Sequence, residues 1–161
     1  MIFDDIAAFA AALPPARGLM GLDLGTKTIG VAVSDRLLSS ATALETVKRV
    51  KFTLDAARLA EIAANREIAG LILGLPANMD GSEGPRAQST RAFARNLSRL
   101  PAFETMPIAF WDERLSTVAA ERALLEADTS RKRRAEVIDA VAAGYILQGA
   151  LDRLRHLRIN P

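Results

Sequence analysis

The chain has 161 residues, half of them hydrophobic, with 21 Lys and Arg against 19 Asp and Glu; that is enough for one domain with its own core and tight for two. It contains no cysteine, which excludes disulfides, thiolate nucleophiles and cysteine-ligated zinc or iron–sulfur sites. No apolar run approaches the roughly 20 residues of a membrane-spanning helix, and Asp4 and Asp5 stand where a secretory leader would carry Lys or Arg, so a soluble, cytoplasmic protein without a membrane partner is expected.

Residues 1–17 read as a short amphipathic helix, an N-terminal extension ahead of a single domain over 18–161. GLMGLDL and TIGVAVS, joined by Gly25-Thr26-Lys27, read as a hairpin, and a third short strand is expected around Ala43–Val47. Phe52 to Arg66 places Leu54, Leu59, Ile62 and Ala63 at helical spacing, and AGLILGLP is a continuous apolar run suited to a central strand covered on both faces. Asn78-Met79-Asp80-Gly81-Ser82 is turn chemistry, after which Ser82 and Pro85 are expected to open an arginine-studded helix to about Leu100. MPIAFWDE reads as a fifth strand; Ser116 caps a helix through Leu125, and Ser130 starts a last helix to about Arg155. This order implies an α/β fold, a mixed five-stranded sheet with helices on both faces, which is an RNase H-like layout.

Three positions depart from that pattern in a way that points to chemistry. Asp23 interrupts an apolar strand, where an unpaired carboxylate is costly and needs a cation, a metal or hydrogen-bond donors; nearby backbone amides are the bland alternative. Asp139 borders the apolar face of the last helix, with Ala142 and Ala143 small enough to let that helix approach a sheet; a solvent-facing ion pair is the alternative. Asp112 and Glu113 stand where an apolar strand emerges, and strand alternation points them to opposite faces, so one of them enters a given site. The alternative there is a strand-end salt bridge with Arg114. Carboxylates from a first strand, a distant strand end and a final helix would repel one another without a divalent cation. All-oxygen ligation selects Mg²⁺ or Mn²⁺ over zinc. In two-metal phosphoryl chemistry, with ions roughly 3.5–4 Å apart, no histidine base is required; the single histidine, His156, is expected at the surface near the chain end.

Four blocks, GLDLGTKTIGVAVSD, LILGLPANMDGSEGPRA, FWDERLSTVAAERAL and KRRAEVIDAVAAGYILQGALD, span Gly18 to about Leu154, and in this order they closely resemble the YqgF family of pre-16S rRNA nucleases, formerly described as Holliday junction resolvases. The resemblance implies an RNase H-like nuclease in the bacterial cytoplasm, hydrolysing phosphodiester bonds in maturation of small-subunit rRNA. It implies Asp23, Glu113 and Asp139 as the catalytic, metal-binding triad. On electrostatic grounds Lys27, Arg86, Arg114 and the run Arg131, Lys132, Arg133 and Arg134 are expected substrate contacts, although basic runs are often plain solvated surface. The partner expected is nucleic acid, precursor rRNA ahead of branched DNA, with pre-ribosomal particles possible and the protein a monomer or weak homodimer. Two rivals use the same residues. DLGTKTIGVAV also resembles the phosphate hairpin of actin-like ATPases and sugar kinases, which need two such domains where this chain has length for one. A non-catalytic RNA-binding module of ribosome assembly would keep the acids as a structural remnant.

Overall fold

The computed structural model describes residues 1–115 and 131–159, with the side chains of 138–158 in the last helix. The chain opens with a strand β1 (Ile2–Phe3) and a helix α1 (Ile6–Ala12), whose first turn is capped by Asp5 accepting from the Ala7 N–H at 3.1 Å. Strands β2 (Gly18–Leu24), β3 (Thr28–Ser34) and β4 (Ala41–Lys48) form an antiparallel meander. Helix α2 (Phe52–Asn65), strand β5 (Ile68–Leu75), helix α3 (Pro85–Ser98), strand β6 (Ile108–Asp112) and one 3₁₀ turn (Glu113–Leu115) follow. The last helix, α4 (Arg131–Ile159), runs one turn past its expected end. The helix expected from Ser116 to Leu125, and the Ser130 start, lie outside the described residues.

Among the described residues the sheet has six strands in the order β1-β6-β5-β2-β3-β4, one more than the five expected. The extra strand is β1, inside the segment read as purely helical. Its two residues pair in parallel with β6, and the Ile108 N–H donates to the Met1 carbonyl at 2.8 Å. Two residues carry no period-2 signal; this strand forms because β6 would otherwise be a sheet edge with unmet backbone groups. A second correction concerns α3. Gly84, not Ser82, is its N-cap and offers no side chain to the helix, while Ser82 donates its hydroxyl to Asp80 within the preceding loop at 2.6 Å. Pro85 at the first helical position needs no N–H partner there, so the helix starts without a side-chain cap.

Alternation along the strands sorts the core into two layers. Met20, Leu22, Val31, Leu71, Leu73 and Ile108 face α2 and α3, which contribute Leu59, Ile62, Phe93 and Leu97. Leu19, Ala32, Ile72, Ala109 and Trp111 face α4 and α1, which contribute Ala143, Ile146, Leu147 and Phe9. The small residues of α4 let it lie close: Ala142 and Ala143 are fully buried, and the Ala143 carbonyl is 3.1 Å from where a Cβ on Gly21 would sit. β2, β5 and β6 run parallel, so their carboxyl ends open on one side of the domain. Among the described residues no helix is long and apolar enough to cross a membrane.

Candidate active site

Asp23 lies one residue before the end of β2 and is 5% exposed. It shares the parity of Leu19 and Gly21, so its side chain faces α4 rather than α2 and α3. Its neighbours across the sheet are glycines. Gly30 is its partner in β3, and the pairing of Leu22 with Leu73 places Gly74 one step on in β5.

Those glycines are the openings through which the other carboxylates come in. A Cβ on Gly74 would lie 3.2 Å from Glu113 Oε1, so the Glu113 carboxylate occupies the α4 face beside the end of β2. A Cβ on Gly30 would lie 1.8 Å from the Asp139 carbonyl oxygen; the α4 backbone at Asp139 therefore rests directly on β3. The Asp139 carboxylate accepts a hydrogen bond from the Thr28 hydroxyl and stands 3.7 Å from the Cβ position of Gly25. Asp23, Glu113 and Asp139 thus approach the end of β2 on one face of the sheet, Glu113 from the β5 side and Asp139 from the β3 side. Among the described residues no three acids stand close enough together to enclose one ion.

Asp112 goes the other way. Its carboxylate accepts from the Arg114 backbone N–H at 2.9 Å and from the Arg114 guanidinium at 2.6 and 3.0 Å. The Arg114 side chain, against the cost of partial burial, holds the Asp112 carboxyl below the usual carboxylate range, and Asp112 in turn raises Arg114. Arg114, expected on substrate, is thereby tied to the strand end. Arg86 donates to the Leu24 carbonyl at 3.2 Å, and Lys27 is exposed on the hairpin turn. The side chains of Arg131, Lys132, Arg133 and Arg134 lie outside the described residues, and His156 is exposed. Sequence reasoning missed Thr28 and Arg49, whose guanidinium donates to the Gly25 carbonyl at 2.6 Å. The signal for Gly30 was present, since an isolated glycine in a β-branched strand marks close backbone approach; a threonine in such a strand is too ordinary to stand out.

The opposite faces of Asp112 and Glu113 predict different failures. Asp112→Asn should keep cleavage and lower unfolding stability by roughly 0.5–3 kcal/mol, the common range for point changes. Glu113→Gln should keep the melting temperature and lose Mn²⁺-dependent cleavage. The reverse pattern in folded proteins would assign the functional role to Asp112.

A mixed sheet ordered in this way, with helices on both faces and acids at the carboxyl end of its first long strand, is an RNase H-like fold. Among solved structures, T. thermophilus RuvC in complex with Holliday junction substrate superposes with a TM-score of 0.54 at 16% sequence identity, over 86% of this chain and 96% of that one. The sequence is more specific: the family model described as "RuvX: Holliday junction resolvase" matches residues 17–153, and the chain belongs to that family. Proteins of Jannaschia sp. (strain CCS1) and Roseobacter denitrificans, 74% and 75% identical over 158 residues, carry the name "Putative pre-16S rRNA nuclease". The alignments cover 98% of this chain and 99% and 96% of theirs.

Proposed function

We propose that the chain is a divalent-metal-dependent nuclease that hydrolyses phosphodiester bonds of precursor 16S rRNA in the cytoplasm, using Asp23, Glu113 and Asp139. The observation that carries this reading is the arrival of three carboxylates, from β2, the end of β6 and α4, on one sheet face at the end of β2. The family membership and the names of the close relatives point the same way.

The residues present suit a hard cation. The donors are all carboxylate oxygens, which favour Mg²⁺ or Mn²⁺, and the missing side chains of Gly30 and Gly74 let the Asp139 backbone and the Glu113 carboxylate close onto the sheet beside Asp23. Bound by Asp23, Glu113 and Asp139, such ions supply an activated water and charge stabilisation for the leaving oxygen. The chain's own contribution is placement. Asp23 is fixed by a central strand, Asp139 by a helix resting on β3, and Glu113 by the 3₁₀ turn after β6. Lys27 on the turn, and the Arg131–Arg134 run at the start of α4, supply positive charge for the phosphates of the strand.

Incubation of purified protein with Mn²⁺ or Mg²⁺ and, separately, precursor rRNA fragments, unrelated single-stranded RNA and a four-way DNA junction tests the reading. Preferred metal-dependent cleavage of the precursor is expected. Preferred cleavage of the junction would replace it with a resolvase, and binding without cleavage of any substrate would replace it with an assembly module.

Thr28 should matter to this chemistry without touching substrate, because its hydroxyl sets the direction of the Asp139 carboxylate. Thr28→Val should raise the Mn²⁺ concentration needed for half-maximal cleavage by about 10–100-fold, the scale on which partners of metal ligands act. Thr28→Ser should restore it. An unchanged Mn²⁺ requirement in Thr28→Val would remove the orienting role.

A further inference from the structure

Behind the hairpin turn, on the side of the sheet facing α3, lies an open cavity that the carboxylates do not use. Its walls are Leu24, Gly25 and Thr26 of the turn, Arg49 just after β4, and Arg86, Ser89, Thr90 and Phe93 of α3. Among the described residues the lining brings two guanidinium groups together with hydroxyls and no carboxylate.

Both arginines are held in place and keep donors to spare. Arg49 Nη1 donates to the Gly25 carbonyl at 2.6 Å, and its guanidinium lies 5.7 Å from the centre of the Phe93 ring. Arg86 Nη2 donates to the Leu24 carbonyl at 3.2 Å. A guanidinium carries five N–H donors in a planar fork, so one bond to a carbonyl leaves donors for an oxyanion. Arg49 is half-buried and fixed, whereas Arg86 and Ser89 are exposed, so the cavity has an ordered cationic floor and an open mouth.

Its position ties it to the carboxylates. Gly25 is part of the cavity wall, and the Cβ position of the same residue is 3.7 Å from the Asp139 carboxylate. One turn without a side chain at that point separates acids on one side from arginines on the other. A nucleic-acid strand laid across the turn meets both. We propose that Arg49 and Arg86 form a phosphate subsite that grips the substrate backbone beside the phosphodiester held over Asp23, Glu113 and Asp139. This rests on the nuclease reading for the identity of the ligand, a phosphodiester of the substrate strand, and on the cavity for its place.

Binding measured separately from cleavage tests the subsite. In an Asp23→Asn background, affinity for a single-stranded RNA is followed over a range of KCl concentrations, with inorganic phosphate as a competitor. Arg49→Ala and Arg86→Ala should each weaken binding and flatten the slope of log affinity against log salt by about 0.7, the value for one phosphate contact on a single strand. Arg49→Lys and Arg86→Lys keep the charge and should keep most of the slope, which guards against misfolding in the alanine variants. Lower melting temperatures with an unchanged slope would reduce both arginines to braces for the hairpin and overturn the subsite. Phosphate that stabilises the protein in an arginine-dependent way, while RNA binding ignores both arginines, would make the cavity a free-anion site and overturn it equally. The two readings fail separately: an unaltered salt slope in a protein whose Asp23 form cleaves RNA sinks only the subsite, and arginine-dependent RNA binding by a protein that cleaves nothing sinks only the nuclease.

Discussion

Asp23→Asn is expected to abolish metal-dependent cleavage while leaving the protein folded and at least as stable as the parent. Asp23 is 5% exposed on the central strand of the sheet, and a carboxylate so placed is retained against a desolvation cost that its neutral isostere avoids. Removal of the charge relieves that cost and any repulsion from Glu113 and Asp139, so the melting temperature should hold or rise. Cleavage should fall by about 10²–10³-fold or more, as when single groups that stabilise transition-state charge are removed. Asp139→Asn should lose cleavage in the same way, and EDTA should stop the parent protein. Parallel measurement of thermal unfolding and of product formation over a Mn²⁺ titration separates the two effects. Full activity in either variant, or in EDTA, would end the metal-nuclease reading.

Much of this arrangement was legible in the amino-acid order because it rests on local pattern. The apolar β2–β3 hairpin, the continuous run of β5 and the emergence of Asp112 and Glu113 at a strand end follow from periodicity and turn residues, and the structure has them where they were read. Ala142 and Ala143 announced the close approach of α4, and both are fully buried on the sheet. What stayed hidden depends on partners distant in sequence. β1 exists only because β6 presents an edge to it, and a two-residue strand has no period of its own. Arg49 looked like one basic residue among many, and its place beneath Gly25 follows from how β4 returns along β3. A third case, Arg91, bridges Glu83 and Asp4 and lies 4.8 Å from the centre of the Phe110 ring, binding the extension, the loop after β5 and strand β6 in one contact set.

The contact that sets Asp139 gives the largest stability effect to expect. Gly30→Ala should destabilise the fold severely and disturb the site even where the protein remains folded. Its backbone torsion is not the reason, since any residue can adopt it; the reason is space. The added Cβ would fall 1.8 Å from the Asp139 carbonyl oxygen, 2.1 Å from its carbon and 2.7 Å from the Ala140 nitrogen. All three are helix backbone, which cannot rotate away as a side chain can. α4 would have to lift off β3, opening the layer it shares with Leu19, Ala32 and Ile72 and carrying Asp139 away from Asp23. Overpacking of this kind costs about 3 kcal/mol or more at the upper end of the usual range. In a domain of this size that corresponds to a fall in melting temperature of roughly 6–12 °C. Gly144→Ala is the internal control: beyond the backbone of its own helix, the nearest atom to its Cβ position is the Ala43 nitrogen at 3.9 Å, so α4 should accept the methyl and gain up to about 1 kcal/mol in helix propensity. If Gly30→Ala melts like the parent and still cleaves RNA, α4 does not rest on β3 at Asp139, and the placement of the third carboxylate falls with it.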